Sequence, residues 1–227
     1  MEEVKCSDEY LYILTGIFIG GEMKKKSTRV LVFAGVLASV SAVLMFLEFP
    51  LGFAPSFYKM DFSEVPVLIG AFAYGPVVGI IIEGVKIIVR TSIVGTQTMG
   101  VGELANFLIG ISFVVPASLI YKAHKTKKSA VIGLAVGSLA MIIVGTLLNA
   151  FVLLPAFAFF LSTPETTYTV DSFVYLGSLV NPLVKDLPTF LAFAVAPFNL
   201  IKAVLTGIIV ILSYKRISSL IKAKDSE

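Results

Sequence analysis

Cysteine, histidine and charge are all scarce in this 227-residue chain, which has one cysteine, one histidine and 15% charged residues. A single thiol, Cys6, excludes an internal disulfide and a cysteine-rich metal site. The lone histidine, His124, lies in a lysine-rich stretch. Neither an H-E-x-x-H zinc site nor a serine–histidine relay can therefore sit in an apolar segment. No G-x-x-x-x-G-K-[ST] phosphate loop occurs, so the chain carries no P-loop ATPase site of its own. No motif supports a carboxylate enzyme built on Glu83 and Glu103, and the chain reads as a non-enzyme with no metal site.

What is abundant is apolar. Hydrophobic residues make up 57% of the chain, and the mean hydropathy is +0.94. A lipid bilayer is the expected solvent. A helix needs roughly 20 apolar residues to cross a hydrocarbon core of about 30 Å. Runs of that kind occupy residues 30–47, 77–94, 104–121, 130–160 and 197–214. Residues 64–75 form a shorter helical segment, capped by Asp61 or Ser63 and closed by Gly75 and Pro76. Pro155 should bend or end the fifth span. Pro50, Gly52, Pro55 and Pro66 forbid a regular helix over residues 51–60, which read as an ordered loop or cap. Pro164, Pro182 and Pro188 divide residues 162–196 into a long outer loop with room for one or two short helices.

The expected architecture is an all-α integral membrane protein, a six-transmembrane-helix bundle with a short second helix and two outer capping loops. Residues 1–22 read as a tail ahead of a start at Met23, with an uncleaved signal-like segment as the alternative, and 23–227 as one membrane domain. Basic residues gather in three clusters: Lys24, Lys25, Lys26 and Arg29; Lys122, Lys125, Lys127 and Lys128; Lys215, Arg216, Lys222 and Lys224. With six spans all three fall on one side, so both termini are expected in the cytosol. The clusters adjoin spans instead of lining a soluble face, which argues against nucleic acid. Tyr121 and Tyr214, just before two of them, suit the headgroup level.

Polar groups inside spans need partners, a wet cavity or an interface. Glu83, Lys86 and Arg90 lie within about 60° on one helical face, which reads as an internal ion pair with Arg90 snorkelling outward. Asn106, Asn149, Asn199 and Lys202 lie near the outward ends of three spans. They read either as a ligand site rich in donors and acceptors or as hydrogen-bonding glue between helices. Ala34, Ala38 and Ala42, like Gly133 and Gly137, form small-residue stripes that admit a close helix neighbour.

The segments FPLGFAPSFYKMDFSEVP, GPVVGIIIEGVK, ANFLIG, LNAFVLLP and PFNLIKAVL follow one another across the spans. In that order they resemble the riboflavin-specific S-components of energy-coupling-factor vitamin transporters, over residues 26–222. The resemblance implies a plasma-membrane bundle whose outer half binds one riboflavin, with FMN as a further candidate ligand. Loops 48–62 and 162–196 would roof the site. Asn106, Asn149, Asn199 and Lys202 would address the heteroatoms and hydroxyls, and Leu51, Phe53 and Phe151 would bury the flat ring. It also implies docking of the Ala34, Ala38 and Ala42 stripe on a transmembrane coupling subunit that carries two ATPase subunits. An S-component for thiamine or biotin, and a stand-alone secondary transporter, stay open as alternatives.

Overall fold

The structure, a computed structural model, describes residues 25–96 and 98–213. The tail 1–22, the start at Met23, Lys24, Tyr214 and the C-terminal basic cluster lie outside the described residues. Helix α1 spans Lys25–Phe46. A small hairpin follows, β1 Phe49–Pro50 antiparallel to β2 Lys59–Met60, with Phe49 opposite Met60. This hairpin is the ordered cap expected from the prolines of the loop.

Helix α2 covers Glu64–Tyr74 and α3 covers Pro76–Val94. Gly75 separates them at φ 97°, a conformation that suits a residue without Cβ. Its N–H closes α2 on Ala71 O, and Pro76 opens α3 where no amide donor is needed. Helix α4 is Val101–His124 and α5 is Lys127–Leu161. Thr126 caps α5 by accepting from Ser129 N at 3.1 Å. Helix α6 is Val170–Val180 and α7 is Leu187–Leu212.

α5 continues past Pro155 to Leu161, within a residue of the expected end, whereas α7 runs further than proline placement suggests and begins at Leu187 instead of Pro197. In each, a π-helical turn precedes the proline: Asn149–Leu153 in α5 and Leu191–Val195 in α7. The widened turn bonds Leu154 N–H to Asn149 O and Ala196 N–H to Leu191 O, one residue further back than in a regular helix. That slack carries the chain past a residue with no N–H and a bulky ring. Pro188 sits in the first turn of α7, where Asp186 and Thr189 form a reciprocal capping box, so it starts the helix instead of breaking it.

By length and composition α4, α5 and α7 can each cross a membrane. Helix α3 is 19 residues long but carries Glu83, Lys86 and Arg90. Helix α1 has an apolar stretch of Val30–Phe46, and α2, at 11 residues, is the short second helix expected. These three depend on the bundle to shield them. Large apolar side chains such as Leu139, Leu147, Leu200 and Ile208 face outward. On a water-facing protein such a belt would be a liability, and here it is the lipid surface.

Inside, one apolar cluster joins α1 to α5 and α7 around Leu68, Phe72, Ile82, Phe113 and Val210. A second, with Met60, Phe173, Phe190, Val195 and Phe198, lies under the cap. Between helices in lipid, close packing replaces water exclusion as the main attraction. Gly133 and Gly137 show it: a Cβ at either would fall on the backbone carbonyl oxygen of Ala117 or Phe113 in α4. Ala34 and Ala38 belong to the inner cluster, and all of Ala34, Ala38 and Ala42 are buried. This differs from the docking role that the resemblance implies, because α1 turns its small face onto its own neighbours. Tyr121 also differs from expectation. It is 1% exposed and stacks on Phe72 at 4.5 Å, so its ring serves the core and not the headgroup level.

Candidate functional site

A cavity of about 660 Å³ opens at the cap end of the bundle, between the cap, the ends of α3 and α4, the π-turn of α5, α6 and α7. Four sequence-predicted residues, Asn106, Asn149, Asn199 and Lys202, all line it, brought together from α4, α5 and α7. Asn149 begins the π-turn, and its Nδ2 donates to Gly145 O at 2.7 Å. Asn199 follows the second π-turn, and its Nδ2 donates to Val195 O at 3.0 Å. Gly145 gives it room, since a Cβ there would lie 2.9 Å from Asn199 Nδ2. Both amides thus bond to their own helices, which holds their carbonyl oxygens in place.

Lys202 is 6% exposed and pairs with Asp61 Oδ2 at 3.1 Å. Asp61 Oδ1 accepts from Ser63 N at 2.7 Å, so Asp61 works through the chain entering α2 while Ser63 is the N-cap residue. Burial alone pushes the Asp61 carboxyl up. The Lys202 and Lys86 ammonium groups and the bonds from Ser63 outweigh it and hold the carboxyl at about 2. A charged Asp61 keeps Lys202 fixed at the wall of the cavity.

The cap contributes a residue that does not stand out in the sequence. Tyr58 Oη donates to Asn149 Oδ1 at 2.6 Å, across 91 residues of sequence. Burial pushes the Tyr58 hydroxyl well above its ordinary range, so it stays a donor. Its ring lies 5.4 Å from Phe198 and 4.7 Å from Phe57, and Phe57 meets Phe173 edge-on at 5.8 Å. Phe157, Leu153 and Leu161 extend this apolar wall. In the sequence, Tyr58 is marked only by the aromatic run of the cap loop. Towards α3 the lining turns ionic: Glu48 pairs with Lys59 at 2.8 Å and with Arg90 at 3.3 Å. Arg90 therefore ends on a cap carboxylate instead of snorkelling free.

The three apolar residues implied by the resemblance are placed otherwise. Leu51 and Phe53 pack into the cluster under the cap and are not part of the lining. Phe151 is 77% exposed, because the π-turn rotates it to the outer face of α5. Phe57, Tyr58, Phe157, Phe173 and Phe198 supply the ring surface instead. A flat, heteroatom-rich molecule would meet aromatic faces on one side and amide, ammonium and hydroxyl groups on the other.

Residues 29–214 match the family model of the ECF transporter, substrate-specific component. The chain is 32% identical over 203 residues to the riboflavin transporter RibU of Staphylococcus aureus (strain TCH60), covering 88% of this chain and 96% of that one. It is 32% identical over 197 residues to the riboflavin transporter FmnP of Bacillus subtilis (strain 168), covering 86% and 95%. A solved structure of the S component of a bacterial ECF transporter superposes with a TM-score of 0.65 at 32% identity, over 86% of this chain and 98% of that one. With a family match along most of its length and the same fold at that identity, this multi-pass membrane chain belongs to the substrate-specific components of ECF transporters.

Proposed function

We propose that this S component binds riboflavin in the cap-end cavity and delivers it across the plasma membrane, driven by separate subunits. The observation that carries the reading is the convergence of Asn149, Asn199 and Lys202 on one cavity with the aromatic wall of Phe57, Tyr58 and Phe198. The isoalloxazine ring would lie against that wall. Asn106, Asn149, Asn199 and Lys202 would meet its carbonyls and ring nitrogens or the ribityl hydroxyls. Relatives named as riboflavin transporters support this ligand over thiamine or biotin.

The chain has no phosphate loop, so the energy comes from partners: a transmembrane coupling subunit with two ATPase subunits. The basic loop around Lys127 and Lys128 faces the cytosol with both termini, and the cap faces outward. Release inward requires the partners to favour a reoriented or opened bundle, since a ligand and its partners shift a conformation only through differential affinity.

A second ligand has a specific observation behind it. Lys59 and Arg90 share Glu48 beside the cavity, and a ligand phosphate could replace Glu48 between them, which favours FMN as an additional ligand.

The test is direct. Protein purified in detergent should show flavin absorbance or quench the fluorescence of added riboflavin on titration, with thiamine and biotin giving no competition. Absence of both flavin signals would remove riboflavin as the ligand and leave the family assignment standing.

A further inference from the structure

Beside the cavity, α2 and α3 bury more negative charge than their cations balance. Glu64 Oε1 and Glu83 Oε1 both approach one nitrogen, Lys86 Nζ, at 2.9 and 2.7 Å, and all three side chains are at most 1% exposed. The adjoining Asp61 is already matched by Lys202 at 3.1 Å. Three enclosed carboxyl groups therefore face two ammonium groups. Glu64 Oε2 and both oxygens of Glu83 accept no hydrogen bond among the described residues, although all three are buried, so Glu83 meets Lys86 by ion-pair contact alone.

Among the described residues, no further cation is paired with Glu64 or Glu83. Arg90, one turn along α3, is drawn to Glu48 and lies with Lys59 at the cap. From α1 comes Ser41, which donates to Ser63 O, and the Ser63 hydroxyl accepts from Lys86 Nζ at 3.2 Å. From α4 comes Gly110, where any Cβ would strike the Glu83 carboxyl. That contact shows how closely α4 closes over the pair.

An ionised carboxylate without a partner costs several kcal/mol in such surroundings. Two carboxylates on one ammonium leave that cost in place, whereas a carboxylic acid carries no charge to bury. We propose that Glu83 is held as a carboxylic acid at neutral pH beside the Glu64–Lys86 ion pair, forming a buried proton site next to the ligand cavity. With that proton the cluster is neutral: one carboxylate balances Lys86, Asp61 balances Lys202, and Lys202 keeps its full charge at the cavity wall. Loss of the proton at alkaline pH places a second negative charge against Lys86, and the fold loses stability there.

Infrared spectroscopy of the full chain in a detergent free of ester and carboxyl groups tests this without any vitamin. The wild type at neutral pH should show the C=O stretch of a buried carboxylic acid, shifted in D₂O. Glu64→Gln and Glu83→Gln should each abolish it, because the remaining carboxylate then has Lys86 to itself. An amide also imitates the protonated acid, so Glu83→Gln should fold and melt without the alkaline decline of the wild type. Absence of the band from the wild type would overturn the proposal whether or not the variants fold, and so would its survival in either variant.

Discussion

At the scale of single residues, the site divides into groups that were visible in the sequence and groups that only folding supplies. Asn149, Asn199 and Lys202 stand out in a string because amides and ammonium groups are rare within apolar spans and need a reason to be there. Asp61 and Tyr58 do not stand out, because polar and aromatic residues are ordinary in a loop. Their partners lie 141 and 91 residues away. Lys202→Ala should weaken riboflavin binding by about tenfold or more, the scale of a hydrogen bond to a charged group, measured by quenching of flavin fluorescence. It should also lower the melting temperature by stranding Asp61, and the double change Lys202→Ala with Asp61→Ala should recover part of that loss. Tyr58→Phe removes the bond to Asn149 and should cost about 0.5–1.5 kcal/mol of stability by thermal unfolding in detergent. The Asp61 carboxyl carries a stability term of definite sign. Its folded value of about 2 lies below its ordinary 3.8. Its contribution is therefore complete above that ordinary value and is lost as the pH falls towards about 2. The wild-type melting temperature should fall over that window, and Asp61→Asn should melt lower at neutral pH with a shallower acid decline.

At the scale of elements, proline and glycine positions had to be interpreted in context. Pro155 and Pro197 suggest breaks, yet both lie just after π-helical turns inside continuous helices. Hydropathy and proline placement cannot distinguish a stop from a widened turn, since either absorbs the missing N–H. The widening has a consequence for the site: it turns Phe151 out to 77% exposure and sets Asn149 inward at 3%. Phe151→Ala should therefore leave riboflavin affinity within about twofold, as expected of a surface side chain away from the site, in the same quenching assay. The glycines of the α4–α5 contact give a sharper contrast. Gly137→Ala places a methyl group on Phe113 O and should greatly reduce the yield of folded protein, whereas Gly35→Ala meets nothing within 4 Å and should be tolerated. Size-exclusion profiles of the two variants after detergent extraction would separate them.

At the scale of the whole molecule, orientation follows from charge. With Cys6 replaced by Ser, a cysteine at Glu165 should react with a membrane-impermeant maleimide on intact cells. One at Lys128 should react only after the membrane is opened, because basic loops stay in the cytosol. The reverse pattern would invert the proposed topology. Composition and hydropathy by themselves determined the solvent, the helical class, the short second helix and the existence of a cap, because each is a local consequence of bilayer thickness and backbone sterics. They also marked the polar residues of the cavity, since lipid makes such groups costly wherever they lie. The tertiary structure alone decided what those residues touch. It paired Lys202 with Asp61, set Tyr58 on Asn149, left Leu51, Phe53 and Phe151 out of the cavity lining, and turned the alanine stripe of α1 inward. Such contacts depend on helix rotation and cap register. A one-residue π-turn or a hairpin alignment changes both without altering the hydropathy from which the spans were read.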